Sequence, residues 1–296
     1  MNTAVNDSIT AAFVQQFADT YMMVAQQRDS RLQSTITDVG SVTGTSFTAN
    51  NIAATQANQV TSRLGDTEWS DNANDTRVGM MSDWDWATPV DTFDIPKLKA
   101  NPGGTYTQNG VAAMNRAKDA VIYNALLGSS ITRTAEATPY GTIALPAGQK
   151  IVDGGVGMTK AKLITCKKLF RKAEADEQNG EELYMLYDAE MLEDILSDTT
   201  LTSADFMAVQ MLQDGKLSGK WLGFNWIPYE ALKTVSTVKT TVAYTKSGTQ
   251  FGTGMNRVVD IGPRRDKKNA TQIYIQESYG AVRVQENKVV TIDYQF

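Results

Sequence analysis

The chain has 296 residues, of which 42% are apolar, and a formal net charge of −5 from 28 basic and 33 acidic side chains. These values are typical of a globular protein with a sizeable core, and the negative charge disfavours a dedicated nucleic-acid-binding protein. The absence of histidine excludes Ser-His-Asp and Cys-His catalysis and imidazole zinc sites, and the single cysteine, Cys166, excludes an intramolecular disulfide.

The sequence also predicts a soluble protein without Sec export. Its apolar runs are far shorter than the roughly 18 residues that a membrane span requires. Residues 1–17 have neither the basic region nor the apolar region of a signal peptide. We therefore expect no membrane partner.

The first predicted element is an amphipathic helix from Asp7 to about Arg28. Its apolar residues recur at spacings of three and four, which places them on one face of the helix: Ile9, Phe13, Phe17, Tyr21 and Val24. Such a face requires a partner.

Residues 34–77 are rich in Thr, Ser, Asn, Asp and Gly and show no helical period. A stretch this polar cannot build a core of its own, so we predict an extended arm or projecting loop that is ordered by contact with neighbours. It contains the acidic residues Asp66, Glu68, Asp71 and Asp75, whose spacing matches no EF-hand loop. We favour a solvated or intersubunit acidic loop over a metal site.

Residues 78–91 alternate in polarity, with Trp84 and Trp86 on one side of a predicted strand and Asp83 and Asp85 on the other. Tryptophans at alternating positions indicate packing in a core or an interface more often than a ligand pocket. We apply the same interpretation to Trp221 and Trp226, which the sequence places in a later strand from 221 to 229.

Two helices follow, the first from Thr105 to Ser130, with Thr107 as its predicted N-cap and Gly128 as a left-handed C-cap. Residues 131–157 predict a loop or hairpin. The second helix spans 159 to about 173; it carries a lysine-rich face, and Cys166 lies on its apolar side as a buried structural thiol.

The remainder alternates short elements. We predict a strand at 183–187, a helix opened by Asp188, another helix opened by Ser203, and closing strands that turn at Glu286-Asn287. Ile273 and Ile275, and then Val282 and Val284, alternate with polar residues, which predicts half-buried strands.

Two further patterns suggest anion binding only weakly. The glycines of 154–157 and 252–254 lack a complete Walker or dinucleotide-binding pattern, so we interpret them as flexible loops. The basic run Arg264, Arg265, Lys267 and Lys268 and the lysine-rich helix face offer phosphate contacts, but a solvated face or an intersubunit partner of the acidic loop is favoured because stacking aromatics are lacking.

Several stretches follow one another in a characteristic order: AQQRDSRLQSTI, DTRVGMMSDWDWATPVD, DIPKLKANPGGTYTQNGVAAMNRAKDAVIYNALLG, LYMLYDAEMLEDILSDTTLTSADFMAVQMLQDGKLSGKWLGFNWIPYE and ATQIYIQESYGAVRVQENKVVTIDYQF. In this order the chain resembles a tailed-bacteriophage major capsid protein of the Hong Kong 97-type fold. The resemblance covers nearly the whole chain, and its most specific parts lie at 106–128, 188–228 and 270–294.

The resemblance implies an α+β fold with five segments. These are an N-terminal arm at 1–36, an extended loop at 37–100, a peripheral domain with a long spine helix at 101–178, an axial domain at 179–269, and closing strands of the peripheral domain at 270–296. Some members of the family carry Lys–Asn crosslinks, but no motif in this chain identifies such a pair.

The resemblance further implies a shell subunit without an active site or cofactor. Such a subunit self-assembles through hexamers and pentamers into an icosahedral head, in the host cytoplasm, and becomes part of the virion. The implied partners are a scaffolding protein, a portal, a cement protein and packaged double-stranded DNA, bound without sequence specificity.

We predict contacts between subunits at eight residues: Phe13, Phe17, Asp66, Glu68, Trp84, Trp86, Arg264 and Arg265. One alternative is a carboxylate-dependent metal or glycan-processing enzyme that uses Asp83, Asp85 and the 66–75 acidic cluster. A cell-surface adhesion array is a second alternative, and the missing export signal disfavours it.

Overall fold

The computed structural model describes residues 23–63, 65–91, 103–133, 139–197 and 220–296. Its helices in this part of the chain are α1 (Gly103–Leu127), α2 (Lys160–Lys172) and α3 (Ala189–Ser197). Its strands are β1 (Thr37–Ser41), β2 (Ser46–Ile52), β3 (Asn74–Met80), β4 (Ser82–Val90), β5 (Ser130–Arg133), β6 (Gly141–Ile143), β7 (Lys150–Ile151), β8 (Leu183–Tyr187), β9 (Lys220–Trp221), β10 (Phe224–Pro228), β11 (Lys233–Val235), β12 (Val238–Thr245), β13 (Thr249–Arg264), β14 (Ala270–Arg283) and β15 (Val289–Gln295).

The strands form three sheets. The largest has the order β7-β15-β12-β8-β10-β9, with β11 paired to β12, and two four-stranded sheets have the orders β2-β3-β5-β6 and β1-β13-β14-β4. In the largest sheet β12 pairs antiparallel with both β8 and β15, while β10 pairs parallel with β8. Helices that are segregated from mainly antiparallel sheets define the α+β class, so the predicted fold class is confirmed.

The chain divides into two compact units. One contains 1–28, 85–115 and 257–276, and the other contains 29–84, 116–256 and 277–296. The five-segment domain division of the sequence analysis stays a prediction.

The core of the larger unit lies around the seven-stranded sheet. Strand β8 buries four of its five residues, and its neighbour β12 buries its last five. Helix α2 adds the fully buried Leu163, Cys166 and Phe170. Each such buried apolar side chain stabilises the fold by about 1.5–3 kcal/mol relative to exposure. The buried thiol of Cys166, whose pKa is raised by burial, confirms its predicted place on the apolar side of the helix.

Several predicted elements are confirmed. Helix α2 begins after Thr159, whose side chain acts as the N-cap by accepting a hydrogen bond from the Lys162 amide. Strand β8 has the predicted bounds, and the Asp188 carboxylate caps α3 by accepting the Met191 amide at 2.9 Å. For residues 131–157, where the sequence predicted a loop or hairpin, the structure contains the antiparallel pair β5 and β6.

Helix α1 exists as predicted, but both of its predicted caps are wrong. The helix begins at Gly103, so Thr107 lies inside it. Gly128 does not have the positive φ of a left-handed cap, although its amide donates to the Asn124 carbonyl at 2.8 Å.

Three other predictions also need correction. The strand expected at 221–229 is a hairpin, in which Leu222 and Gly223 take φ values of 53° and 81° to join β9 to β10. The glycines of 252–254 lie in β13, where Gly252 packs close to the Phe47 ring, and not in a flexible loop. Residues 23–28 are not helical; the rest of the predicted N-terminal helix, like the helix opened by Ser203, lies outside the described residues.

Candidate assembly surfaces

The connection between β2 and β3 is exposed along its whole described length. Each described residue from Ile52 to Asn74 is exposed, and Val60 and Trp69 retain 88% and 92% of their accessible surface. The predicted contact residues Asp66 and Glu68 lie in this connection and line a cavity of about 370 Å³ formed by the connection itself. We call residues 53–73 the exposed connection; its described residues, 53–63 and 65–73, contribute no side chain to the core of the chain.

The predicted tryptophans of β4 pack within the chain. Trp84 stacks on Tyr279 with ring centroids 6.1 Å apart and remains 38% exposed. Trp86 is half-buried beside α1, where a Cβ atom added to Gly110 would lie 2.4 Å from its ring and 2.7 Å from Ile275. Packing within the chain thus covers much of the surface of both rings. Their contact with a neighbouring subunit stays a prediction.

The other two tryptophans also pack rather than line a pocket. The rings of Trp221 and Trp226 lie 5.4 Å apart, and the Trp226 indole donates to the Trp221 carbonyl at 3.1 Å. Tyr187 contacts Trp226 edge-on. The packing interpretation of these residues agrees with the structure.

Arg264 and Arg265 lie where β13 turns into β14. Lys268 and Asn269, with φ values of 51° and 58°, adopt left-handed conformations that reverse the chain. Arg264 donates to Asp266 at 2.9 Å, but both side chains are about half exposed, so this pair stabilises little. The turn from 264 to 269, which we call the basic turn, is exposed throughout and offers more cations than anions.

Phe13 and Phe17 lie outside the described residues. Their predicted role stays a prediction.

A buried ion cluster at the foot of the exposed connection was missed by the sequence analysis. The Arg77 side chain is only 4% exposed, and it donates to Asp75 at 2.6 Å, to Thr132 at 2.6 Å and to Glu286 at 2.9 Å. These bonds join β3 to β5 and to the turn before β15. They fix the base from which the exposed connection departs.

Arg283 extends this cluster into the core. Its fully buried guanidinium donates to the carbonyls of Leu126 and Ile143 at 3.0 and 3.1 Å, and to that of Gly128 at 2.5 Å. Burial lowers the pKa of Arg283 below its ordinary value, although the charge of Glu286 opposes this effect. The alternation of Val282 and Val284 predicted an outward-facing Arg283; this is wrong, because both faces of the strand are covered here.

A second buried cluster surrounds Asp188. Its carboxylate accepts hydrogen bonds from Lys239 at 2.6 Å and from the Tyr294 hydroxyl, and the Lys239 ammonium also donates to Glu190 at 2.8 Å. Burial opposes ionisation of Asp188, but these donors outweigh it and lower its pKa. The pKa of Lys239 is raised by the two carboxylates despite its own burial.

Asp188, Glu190 and Glu230 also bring carboxylate oxygens within 4.8 Å of one another, which is a spacing suitable for a metal ion. The Lys239 ammonium already neutralises two of these carboxylates. The group is therefore better described as an ion-pair cluster than as a cation site.

Residues 30–32 are bound to α1 by hydrogen bonds to one carboxylate, that of Asp119. The buried Asp119 accepts hydrogen bonds from the Ser30 hydroxyl at 2.5 Å and from the amides of Arg31 and Leu32 at 2.9 and 3.3 Å. Leu32 is fully buried in the same unit. We call residues 30–32 together with Asp119 the Asp119 clamp.

The carboxylates proposed for an enzyme do not form a site. Asp83 and Asp85 are exposed on β4, Asp66, Glu68 and Asp71 are exposed in the connection, and Asp75 is paired with Arg77. Five of these six carboxylates are exposed and the sixth is neutralised by Arg77, so they do not form the buried acid–base pair that the enzyme alternative requires.

No helix within the described ranges is long and apolar enough to cross a membrane.

Comparisons with known proteins agree with this architecture. Residues 9–295 match the family model described as phage capsid protein. No curated protein matches the chain.

Solved structures match at low identity over almost their full length. The capsid of a native GTA particle is 12% identical, with 100% of both chains covered and a TM-score of 0.73. The capsid of Cyanophage Pam1 is 13% identical, with 97% of each chain covered and a TM-score of 0.72. The capsid of Ralstonia phage GP4 is 8% identical, with 96% of this chain and 95% of that chain covered and a TM-score of 0.72.

At these identities the structural likeness shows the fold, which is the Hong Kong 97-type capsid fold, and the family model shows the family. The fold and family are those of a structural protein that assembles with copies of itself in the virion. The chain therefore belongs to the phage capsid protein family and is a phage major capsid protein.

Proposed function

We propose that this chain assembles through hexamers and pentamers into the icosahedral head of a tailed bacteriophage and encloses double-stranded DNA. The observation that carries the proposal is the exposed connection. Ordering a residue costs about 1–2 kcal/mol of backbone entropy, and the described residues of the connection, 53–63 and 65–73, are all exposed, so burial of their side chains offsets none of this cost within the chain. Contact with a neighbouring copy supplies the missing burial.

The side chains of the connection support such a contact. Trp69 is 92% exposed, and a large aromatic ring of this kind is a frequent anchor in protein–protein interfaces. The flanking Asp66 and Glu68 are exposed and acidic, whereas Arg264 and Arg265 of the basic turn are exposed and cationic. We propose that the exposed connection of one copy lies against the basic turn of another, with Asp66 and Glu68 facing Arg264 and Arg265.

The remaining predicted contacts and the domain division belong to the same proposal. Phe13 and Phe17 would act from an N-terminal arm at 1–36, and the exposed part of Trp84, with Trp86 beside it, would face a neighbour. Assembly in the host cytoplasm with a scaffolding protein, a portal and a cement protein is proposed on the resemblance to tailed-phage capsid proteins.

Charge exchange tests the contact. We expect the double variant Asp66→Lys/Glu68→Lys to fold but to form few closed particles, because like charges would face each other. The variant Arg264→Glu/Arg265→Glu should fail in the same way, and combining all four substitutions should restore particles. Light scattering and negative-stain electron microscopy provide the measurement.

The matched control is Glu174→Lys/Glu193→Lys, which makes the same charge change at two exposed residues away from the connection. It should assemble as the unsubstituted chain does. Normal particles from Asp66→Lys/Glu68→Lys would contradict the pairing, and the absence of particles from the unsubstituted chain, alone and with its scaffolding protein, would contradict the shell itself.

A further inference from the structure

Helix α2 carries a strongly one-sided charge distribution. Its 13 residues include six basic side chains and no acidic one, in a chain whose net charge is −5. The six basic residues are Lys160, Lys162, Lys167, Lys168, Arg171 and Lys172. The function derived above uses none of them.

Three of these cations serve the fold. The buried Lys162 donates to the carbonyls of Val156, Gly157 and Asp293, and burial lowers its pKa. Lys167 is paired with Glu177 at 2.6 Å.

Arg171 is likewise paired with Asp176, at 2.5 Å. The structure therefore explains why these three positions are basic.

The other three cations have no such explanation. Lys160, Lys168 and Lys172 are exposed, and within the described part of the chain no carboxylate lies within ion-pair distance of their ammonium groups. With 100° per residue, the three lysines lie within an arc of about 120°, and with a rise of 1.5 Å they are spaced by about 12 Å and 6 Å along the axis. They form one cationic face, which we call the α2 face.

The residues between these lysines indicate the kind of partner. Ala161, Ile164 and Thr165 are exposed on the same face, so it carries no aromatic anchor. Lysine is depleted in the cores of protein–protein interfaces, whereas its ammonium binds phosphate as a point charge. Duplex DNA presents about one phosphate charge per 1.7 Å of axis, so lysines at any such spacing find partners without reading sequence.

We propose that the α2 face binds the phosphate backbone of the packaged duplex DNA, as its contact with the inside of the shell. The inference rests on the proposed enclosure of double-stranded DNA and adds the surface that touches it. Three separate lysines on an otherwise acidic subunit give weak, salt-sensitive contacts. Such contacts hold DNA without fixing its position.

Salt-dependent binding tests the α2 face. The probe is a fluorescent 30-base-pair duplex of random sequence, titrated with the full chain while anisotropy is recorded between 25 and 200 mM NaCl. Each phosphate contact contributes about 0.9 to the slope of log K against log salt. The triple variant Lys160→Gln/Lys168→Gln/Lys172→Gln should therefore reduce the slope by about 2–3.

The control triple Lys220→Gln/Lys233→Gln/Lys246→Gln removes the same charge from exposed lysines elsewhere and should change the slope by less than about 1. Equal losses in the two triple variants, or no loss in either, would overturn the inference. Tighter binding of polyglutamate than of duplex, at equal anionic charge, would identify an acidic protein as the partner and overturn it as well.

Negative-stain microscopy of the same preparations separates this inference from the proposed function. If the unsubstituted chain and both triple variants form particles and show the same slope of log K against log salt, the proposed DNA binding by the α2 face is refuted and the proposed shell function stands. An unsubstituted chain that forms no particles would count against the shell, while the DNA slopes would still decide whether the α2 face binds duplex.

Discussion

The seven-stranded sheet and the exposed connection use their apolar side chains in opposite ways. In the sheet, Trp226 is 8% exposed and Phe224 is fully buried, so burial within the chain stabilises them. In the connection, Trp69 is 92% exposed. One chain therefore contains two kinds of segment: the first is stabilised by burial within the fold, and for the second we propose stabilisation by a neighbouring copy.

The largest expected effect tests the internal kind of order. Arg283→Ala removes a buried guanidinium that donates to three carbonyls, and loss of one partner of a buried charged network costs about 3–5 kcal/mol. Urea unfolding of the subunit should show this loss. Arg283→Lys should recover only part of it, because an ammonium lacks the planar fork.

The exposed Arg265→Ala serves as the control and should change the free energy of unfolding by less than about 0.5 kcal/mol. Equal stability of Arg283→Ala and Arg265→Ala would show that the buried cluster does not hold the subunit together.

A pair of tryptophan variants tests the comparison directly. Trp226→Ala should lower the free energy of unfolding by about 3–5 kcal/mol, as expected for a buried large-to-small change. Trp69→Ala should leave it within about 0.5 kcal/mol but reduce the yield of closed particles. Urea unfolding and light scattering measure the two effects; a Trp69→Ala chain that assembles normally would remove the connection from the interface.

The smallest effect concerns pH. Because the folded pKa of Asp188 is lowered, its contribution to stability is present above the unfolded value of about 4 and is lost as pH falls through the folded value. The free energy of unfolding should therefore decline below about pH 4, and Asp188→Asn should be less stable at neutral pH but show a shallower decline. Glu193→Gln, an exposed control, should keep the decline of the unsubstituted chain; an unchanged decline in Asp188→Asn would contradict the assignment.

The sequence predicted best where local rules and burial agree. Helix α2 has a cap at Thr159 and an apolar period through Leu163, Cys166 and Phe170, and β8 is followed at once by the capping Asp188. In these places the apolar pattern within about a dozen residues already identifies the side chains that the fold buries.

Prediction failed where distant segments decide the environment. The alternation of Val282 and Val284 with polar residues predicts a solvent-exposed Arg283. In the structure its guanidinium is instead bound by backbone carbonyls from residues 126–143. The pairing of Lys239 with Asp188 joins residues 51 positions apart and leaves no local pattern. For the contacts between copies, the sequence offered only residue types, because the geometry of such a pairing is not contained in one chain. These were the charges of Asp66, Glu68, Arg264 and Arg265 and the aromatic rings of Phe13, Phe17, Trp84 and Trp86.

The Asp119 clamp also determines how the subunit bears a pull on its N-terminal side. Tension along the segment reaches Ser30, Arg31 and Leu32 within three residues, so one carboxylate on α1 shares the load among three hydrogen bonds, next to a fully buried leucine. Bonds loaded together resist more force than bonds opened one after another. We therefore expect the clamp to act as a mechanical stop that keeps strain on this segment at the helix and away from the strand ladders of the seven-stranded sheet.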